Sequence, residues 1–171
     1  MLFRSGLGLM ANYSYNDSRI NGLPDRDDSP SLMGTAKHAF NIEPAYEYKR
    51  YSVHMGVSYN SSNVYAYQYY STDSGIPSGV CGNTNPNPTS AAPLNGPING
   101  PCGDNYFYPH LQVDAQMGMR VYRGLALKLD GLNLNNEVFG FYNGSPQYMT
   151  QREYYKPTYS ASLVWASGRE R

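Results

Sequence analysis

Two cysteines, three histidines and one acidic run are the residues of this chain with obvious chemistry. Cys81 and Cys102 flank a segment rich in Pro, Gly and Asn. Two thiols so placed can bridge, or share a metal. A metal would need more ligands, and only His110 lies near them in sequence. Asp25-Arg26-Asp27-Asp28 has the acidity of a calcium loop, but it lacks the glycine and the distal Glu of an EF-hand. A solvated loop is the expectation there. His38, His54 and His110 are scattered, with neither HExxH spacing nor paired cysteine ligands. They read as wall or rim residues. No nucleophile-elbow sequence and no phosphate-binding glycine loop occur. The chain is therefore expected not to be an enzyme and to carry no cofactor and no metal. What remains is a polar set, Glu43, Glu47, His54, Gln112, Asp114, Gln116, Arg120, Lys128 and Asp130, whose meaning depends on the elements that hold it.

Those elements are strands. In residues 110–121, Leu111, Val113, Ala115, Met117, Met119 and Val121 share one parity, and His110, Gln112, Asp114, Gln116, Gly118 and Arg120 the other. Strict alternation predicts a β-strand with one apolar and one polar face, since a helical period of about 3.6 would scatter both sets. The same pattern predicts strands over 6–16, 37–48, 51–60, 125–134 and 154–165. Residues 64–70 and 138–142 are expected to prolong their preceding strands. Gly131, inside the fifth, predicts a bulge. Across all six, the apolar parity carries no charge in its central part, and every member of the polar set lies on the opposite parity.

The connections alternate. Long loops are expected at about 17–36, 71–108 and 143–152, with short turns at Lys49-Arg50 and Tyr122-Arg123-Gly124. Short turns on one side and long loops on the other are how outer-membrane barrels are built, whereas long structureless loops are uncommon in soluble domains. Strands of this length suit a tilted bilayer crossing, which takes about 9–11 residues. Eighteen Tyr residues, clustered near strand ends, suit aromatic girdles at the two interfaces. Seventeen Gly and 12 Pro fit strands and loops rather than helices. The formal net charge is zero, with 13 basic and 13 acidic residues, and no basic stripe points to nucleic acid. The opening Met1-Leu2-Phe3 is broken by Arg4, Ser5, Gly6 and Gly8 with no cleavage site after it, so Met1 is expected to open directly into a strand.

Several motifs carry a resemblance. Asp130-Gly131-Leu132-Asn133-Leu134-Asn135-Asn136-Glu137, Phe139-Gly140-Phe141-Tyr142-Asn143-Gly144 and Arg152-Glu153-Tyr154-Tyr155-Lys156-Pro157-Thr158-Tyr159 follow one another. Together they resemble the C-terminal end of TonB-dependent outer-membrane receptors. Ala11-Asn12-Tyr13-Ser14-Tyr15-Asn16-Asp17-Ser18, Lys37-His38-Ala39-Phe40-Asn41 and Val57-Ser58-Tyr59-Asn60 resemble earlier strands of the same region. The resemblance covers essentially the whole chain, through the order and spacing of the motifs.

It implies an all-β, antiparallel up-and-down meander of six long strands, the C-terminal segment of a transmembrane barrel of about 22 strands closed by a plug domain. Residues 1–165 would be barrel and 166–171 a polar tail, with the plug and its TonB box absent. The implied function is energised uptake of a scarce, bulky nutrient: a ferric siderophore, cobalamin or an oligosaccharide. The implied partners are outer-membrane lipid, the remainder of the barrel and the plug, TonB through that plug only, and the barrel-assembly machinery. The family ends on an aromatic residue that serves as an assembly signal. Tyr159, Leu163 and Trp165 would supply it, although Ala166 and five further residues follow. The polar set would line the lumen, either touching the plug or as a hydrated wall. In an exported chain Cys81 and Cys102 would pair, and a bridge closing about 20 residues contributes roughly 3 kcal/mol.

Six strands cannot close such a barrel, because open edges in lipid leave backbone groups unsatisfied. The chain is therefore expected to complete its barrel with further strands. Two other readings stand beside this one. A secreted, soluble β-sandwich binding module would have shorter strands at regular spacing. A truncated reading frame would have no function of its own.

Overall fold

The computed structural model describes residues 6–23, 28–67 and 103–166. Among them there is no helix, and ten strands form two antiparallel sheets. The strands are β1 (Leu7–Tyr15), β2 (His38–Tyr48), β3 (Tyr51–Asn60), β4 (Asn63–Ala66), β5 (Asn105–Phe107), β6 (His110–Tyr122), β7 (Leu125–Leu132), β8 (Phe139–Asn143), β9 (Met149–Glu153) and β10 (Thr158–Trp165). The large sheet is the expected six-strand meander, ordered β1-β2-β3-β6-β7-β10. β1 and β10 are its two edges, and the sheet is open between them.

The register carries each parity intact from strand to strand. One row joins Leu7, Tyr46, Val53, Met117, Leu129 and Ala161. A second joins Ala11, Ile42, Val57 and Val113. These aliphatic rows lie between two aromatic ones. Tyr13, Phe40 and Tyr59 align at the loop end. Tyr48 and Tyr51 align at the turn end, with Trp165 at the foot of β10. Between Phe40 and Tyr48 the chain advances eight residues, about 27 Å of strand. At a tilt of 40° that is about 21 Å of height, close to the roughly 25 Å apolar band of a transmembrane barrel.

No other part of the described chain covers this face. Leu9 is 63 % exposed, Met117 52 % and Leu163 70 %. The only buried hydrophobic residues among those described are Val64 and Tyr142, and both belong to the small sheet. A soluble sandwich would bury the inner face of each sheet against the other. The large sheet buries neither.

The small sheet, β4-β5-β8-β9, corrects several expectations. Its order repeats that of β3-β6-β7-β10, because each of its strands directly follows or precedes one of those four. Residues 64–66 and 139–142 thus do not prolong β3 and β7 within the large sheet, and 68–70 lie outside the described residues. Asn63–Ala66 and Phe139–Asn143 are separate strands beyond a break. β5 lies inside the expected loop 71–108, and β9 overlaps the expected loop 143–152. The last long strand starts at Thr158 rather than at 154, since Lys156 has φ +56° and Pro157 has no N–H for a ladder. Tyr155 and Pro157 therefore lie outside it.

Gly131 is not at a bulge either. It pairs in register with Ala115 on one side and Tyr159 on the other, and the irregularity of β6–β7 falls between Arg120 and Tyr122. Glycine is needed at 131 for a different reason: a Cβ there would lie 2.7 Å from Leu134 Cδ2. The turn after β7 folds back over this spot and caps the edge of β6, where β7 has stopped. Leu134 N donates to the Val113 carbonyl (2.7 Å). Asn135 then imitates a strand with its side chain, Oδ1 accepting from Val113 N (3.0 Å) and Nδ2 donating to the Leu111 carbonyl (2.6 Å). Asn133 and Asn136 hold positive φ, which Asn tolerates better than most residues. The Asn-rich motif is an edge cap.

Candidate functional site

All nine residues of the polar set lie on one face of the large sheet, opposite the apolar rows. Cross-strand pairing runs Ala45, His54, Gln116, Asp130, Ser160, and one step toward the turns Glu47, Ser52, Gly118, Lys128, Ser162. Arg120 pairs with Ala126 on the same side. Asn12, Asn41, Ser58 and Gln112 make a third row.

The structure divides the set into small networks. His54 stands between two carboxylates, Nδ1 3.6 Å from Glu43 and Nε2 3.8 Å from Glu47. Gln112 Nε2 donates to Asp114 (2.9 Å), whose Oδ1 also accepts from Asn133 N (2.8 Å). Asp130 accepts from Gln116 Nε2 (2.7 Å) and from Ser160 Oγ (3.2 Å). Arg120 Nη2 donates to the Lys49 carbonyl (2.7 Å) and so ties the β2–β3 turn to β6. Lys128 makes no ion pair with a described residue. These contacts stiffen a polar wall. Among the described residues no three His, Cys, Asp or Glu side chains converge on one ion, and the two nitrogens of His54 face different glutamates.

The histidines have different settings. His38 falls on the apolar parity at its rim, accepting or donating at 2.8 Å with the Tyr13 hydroxyl and packed against the rings of Tyr13 and Tyr15. His110 begins the polar face of β6, its ring edge-on to Phe139 with the ring centroids 5.5 Å apart.

That contact leads to a surface that the sequence pattern did not reveal. Tyr65, Phe107, Phe139 and Phe141 pack together on one face of the small sheet, with ring centroids 4.7–5.4 Å apart. Beside this half-buried ledge is a hollow of about 300 Å³ lined by His110, Gln112, Asn133, Glu137, Phe139 and Lys156. An aromatic wall next to amide, carboxylate and ammonium groups can stack a ring and hydrogen-bond its substituents. Phe139 and Phe141 share a parity around Gly140, the one local signal of the ledge, but three distant strands build it. On the reverse face Tyr106 and Tyr108 lie 5.1 and 4.7 Å from Tyr142. With Val64 they form the small core around Tyr142.

Tyr159, Leu163 and Trp165 share the apolar face of β10 and are exposed. Cys81 and Cys102, Asp25-Arg26-Asp27, the opening residues, Tyr69, Tyr70 and the end of the polar tail lie outside the described residues. No protein-family model, no curated protein and no solved structure matches the chain.

Proposed function

We propose that this chain is a wall segment of an outer-membrane transport barrel of the TonB-dependent receptor kind, contributing its last six membrane strands and their external loops. One observation carries the reading. The six-stranded sheet has an uncharged apolar face between two aromatic rows, the described chain leaves that face uncovered, and the opposite face is a hydrogen-bonded polar wall. Lipid is the solvent that suits such a face, and a water-filled or plugged lumen suits its reverse. The unpaired edges of β1 and β10 then call for the other strands of a 22-stranded barrel, since free edges are not stable in hydrocarbon.

On this reading the small sheet extends four strands beyond the bilayer, and its ledge with the adjoining hollow is where an incoming bulky nutrient meets the wall. Glu43, Glu47, His54, Asp114, Arg120, Lys128 and Asp130 face the plug or the solute path. The activity is transport, driven by TonB through a plug that other residues supply. β10, with Tyr159, Leu163 and Trp165, is the strand the assembly machinery takes up.

The test is partition. Refolded from denaturant, the full chain is expected to need detergent or lipid and to transfer into phosphatidylcholine bilayers with its β content intact. A chain that stays monomeric and folded in plain buffer would refute the proposal.

A further inference from the structure

The hollow beside the aromatic ledge holds polar groups of two kinds, those the fold uses and those it leaves over. Asn133 is buried and spent, Oδ1 accepting from Glu137 N (2.7 Å) and Nδ2 donating to the Glu137 carbonyl (3.1 Å). Gln112 donates to Asp114 (2.9 Å), and the Tyr155 hydroxyl donates to Glu153. The Glu137 carboxylate serves the edge cap, 3.4 Å from Leu111 N and 3.5 Å from Asn135 Nδ2.

Lys156 and Thr158 are left over. Lys156 has no ion-pair partner among the described residues, although Glu137 lines the same hollow. The Thr158 hydroxyl makes no hydrogen bond to a described residue. His110 Nε2 is 3.4 Å from Gln112 Oε1, while its buried Nδ1 has no partner among the described residues. Buried orphans are uncommon, and this one belongs to the wall of the hollow. Phe139 forms the apolar side and leads onto Phe107 and Phe141, each with its ring centroid 5.2 Å away.

We infer that hollow and ledge together bind an aromatic carboxylate, presented as one arm of the incoming nutrient. The inference rests on the reading of this hollow as the place where that nutrient meets the wall. A free ammonium beside a free hydroxyl suits a carboxylate, since charge-assisted hydrogen bonds are the strong ones. The rings of the ledge suit an arene, which stacks or meets them edge to face. A neutral sugar would leave the Lys156 charge unmet. Gln112 and Thr158 lie on the polar parity of β6 and β10, so the hollow is on the side turned away from the lipid-facing rows.

The experiment is equilibrium dialysis of labelled benzoate against the full chain refolded into phosphatidylcholine vesicles, with protein-free vesicles as the blank. Benzyl alcohol, which keeps the ring and loses the charge, should compete about tenfold more weakly. Cyclohexanecarboxylate, which keeps the charge and loses the ring, should compete about fivefold more weakly. Lys156→Gln, at an exposed position where folding is not at risk, should weaken benzoate about tenfold, and Lys156→Arg should restore most of it. Phe139→Leu should cost about fivefold. Lys49→Gln, at the far end of the sheet, should change nothing.

No benzoate binding by protein that has entered the vesicles overturns the inference and leaves the barrel reading intact. Equal competition by benzyl alcohol or by methyl glucoside, or equal losses from Lys156→Gln and Lys49→Gln, overturns it as well. A chain that stays folded in plain buffer and binds benzoate with the expected pattern supports the aromatic-acid site and refutes the barrel. A chain that neither enters vesicles nor binds benzoate sinks both.

Discussion

Two neighbouring residues of β3 test whether lipid or water wets the apolar face. Met55 points to the apolar face, between Val53 and Val57 and opposite Ala115, while Gly56 points to the polar face opposite Asp114. Met55 is 42 % exposed, so in a sheet wetted on both sides Met55→Arg would cost no more than about 0.5 kcal/mol, as surface substitutions do. In a bilayer the same change places a guanidinium halfway between the aromatic rows, and the cost rises to about 2–4 kcal/mol. Gly56→Arg adds an equally large cation one residue away. A Cβ there meets nothing within 4 Å, and the new side chain gains Asp114 as a cross-strand neighbour, so it should be neutral within about 1 kcal/mol. Urea unfolding in phosphatidylcholine vesicles reads the difference. With a slope of about 2 kcal/mol/M, Met55→Arg lowers the midpoint by about 1–2 M and Gly56→Arg barely moves it. Equal midpoints for the two variants would refute the assignment of faces.

Other consequences are local. Asn135→Ala removes both side-chain bonds that finish the edge of β6, which should cost about 1–3 kcal/mol and speed hydrogen exchange at the Val113 amide; unchanged exchange there would exclude the cap. Gly131→Ala should cost about 1 kcal/mol through its approach to Leu134, and pairing it with Leu134→Ala should recover that cost in a double-mutant cycle. The Tyr155 hydroxyl donates to Glu153, and this bond, with the nearby negative charge, pushes the phenol above its ordinary value of 10.0. Because the folded value is raised, any stabilisation from this pair is complete below the unfolded value and is lost as pH rises through the folded one. Glu153→Gln should bring the phenolate absorbance transition to lower pH, and an unmoved transition would dismiss the bond.

The two faces of this protein were legible in the residues alone. Side-chain direction in a strand has a period of two, so Val113 and Gln112 declare their sides without any neighbour, and the short turns at Lys49-Arg50 and Tyr122-Arg123-Gly124 mark where strands reverse. Six spans, their alternation and the common face of the polar set followed from that local rule. What the rule does not contain is the identity of hydrogen-bond partners. Val64 and Tyr65 look like more of β3, yet they belong to another sheet, because the ladder stops at Ser61 and resumes with β5. Asn135 looks like loop until the unpaired edge of β6 lies beside it. The aromatic ledge draws Tyr65, Phe107, Phe139 and Phe141 from three strands, and the hollow beside it draws His110, Glu137 and Lys156 from a strand and two connections. Each exists only through pairing between residues distant in sequence, which a period read along one strand does not encode.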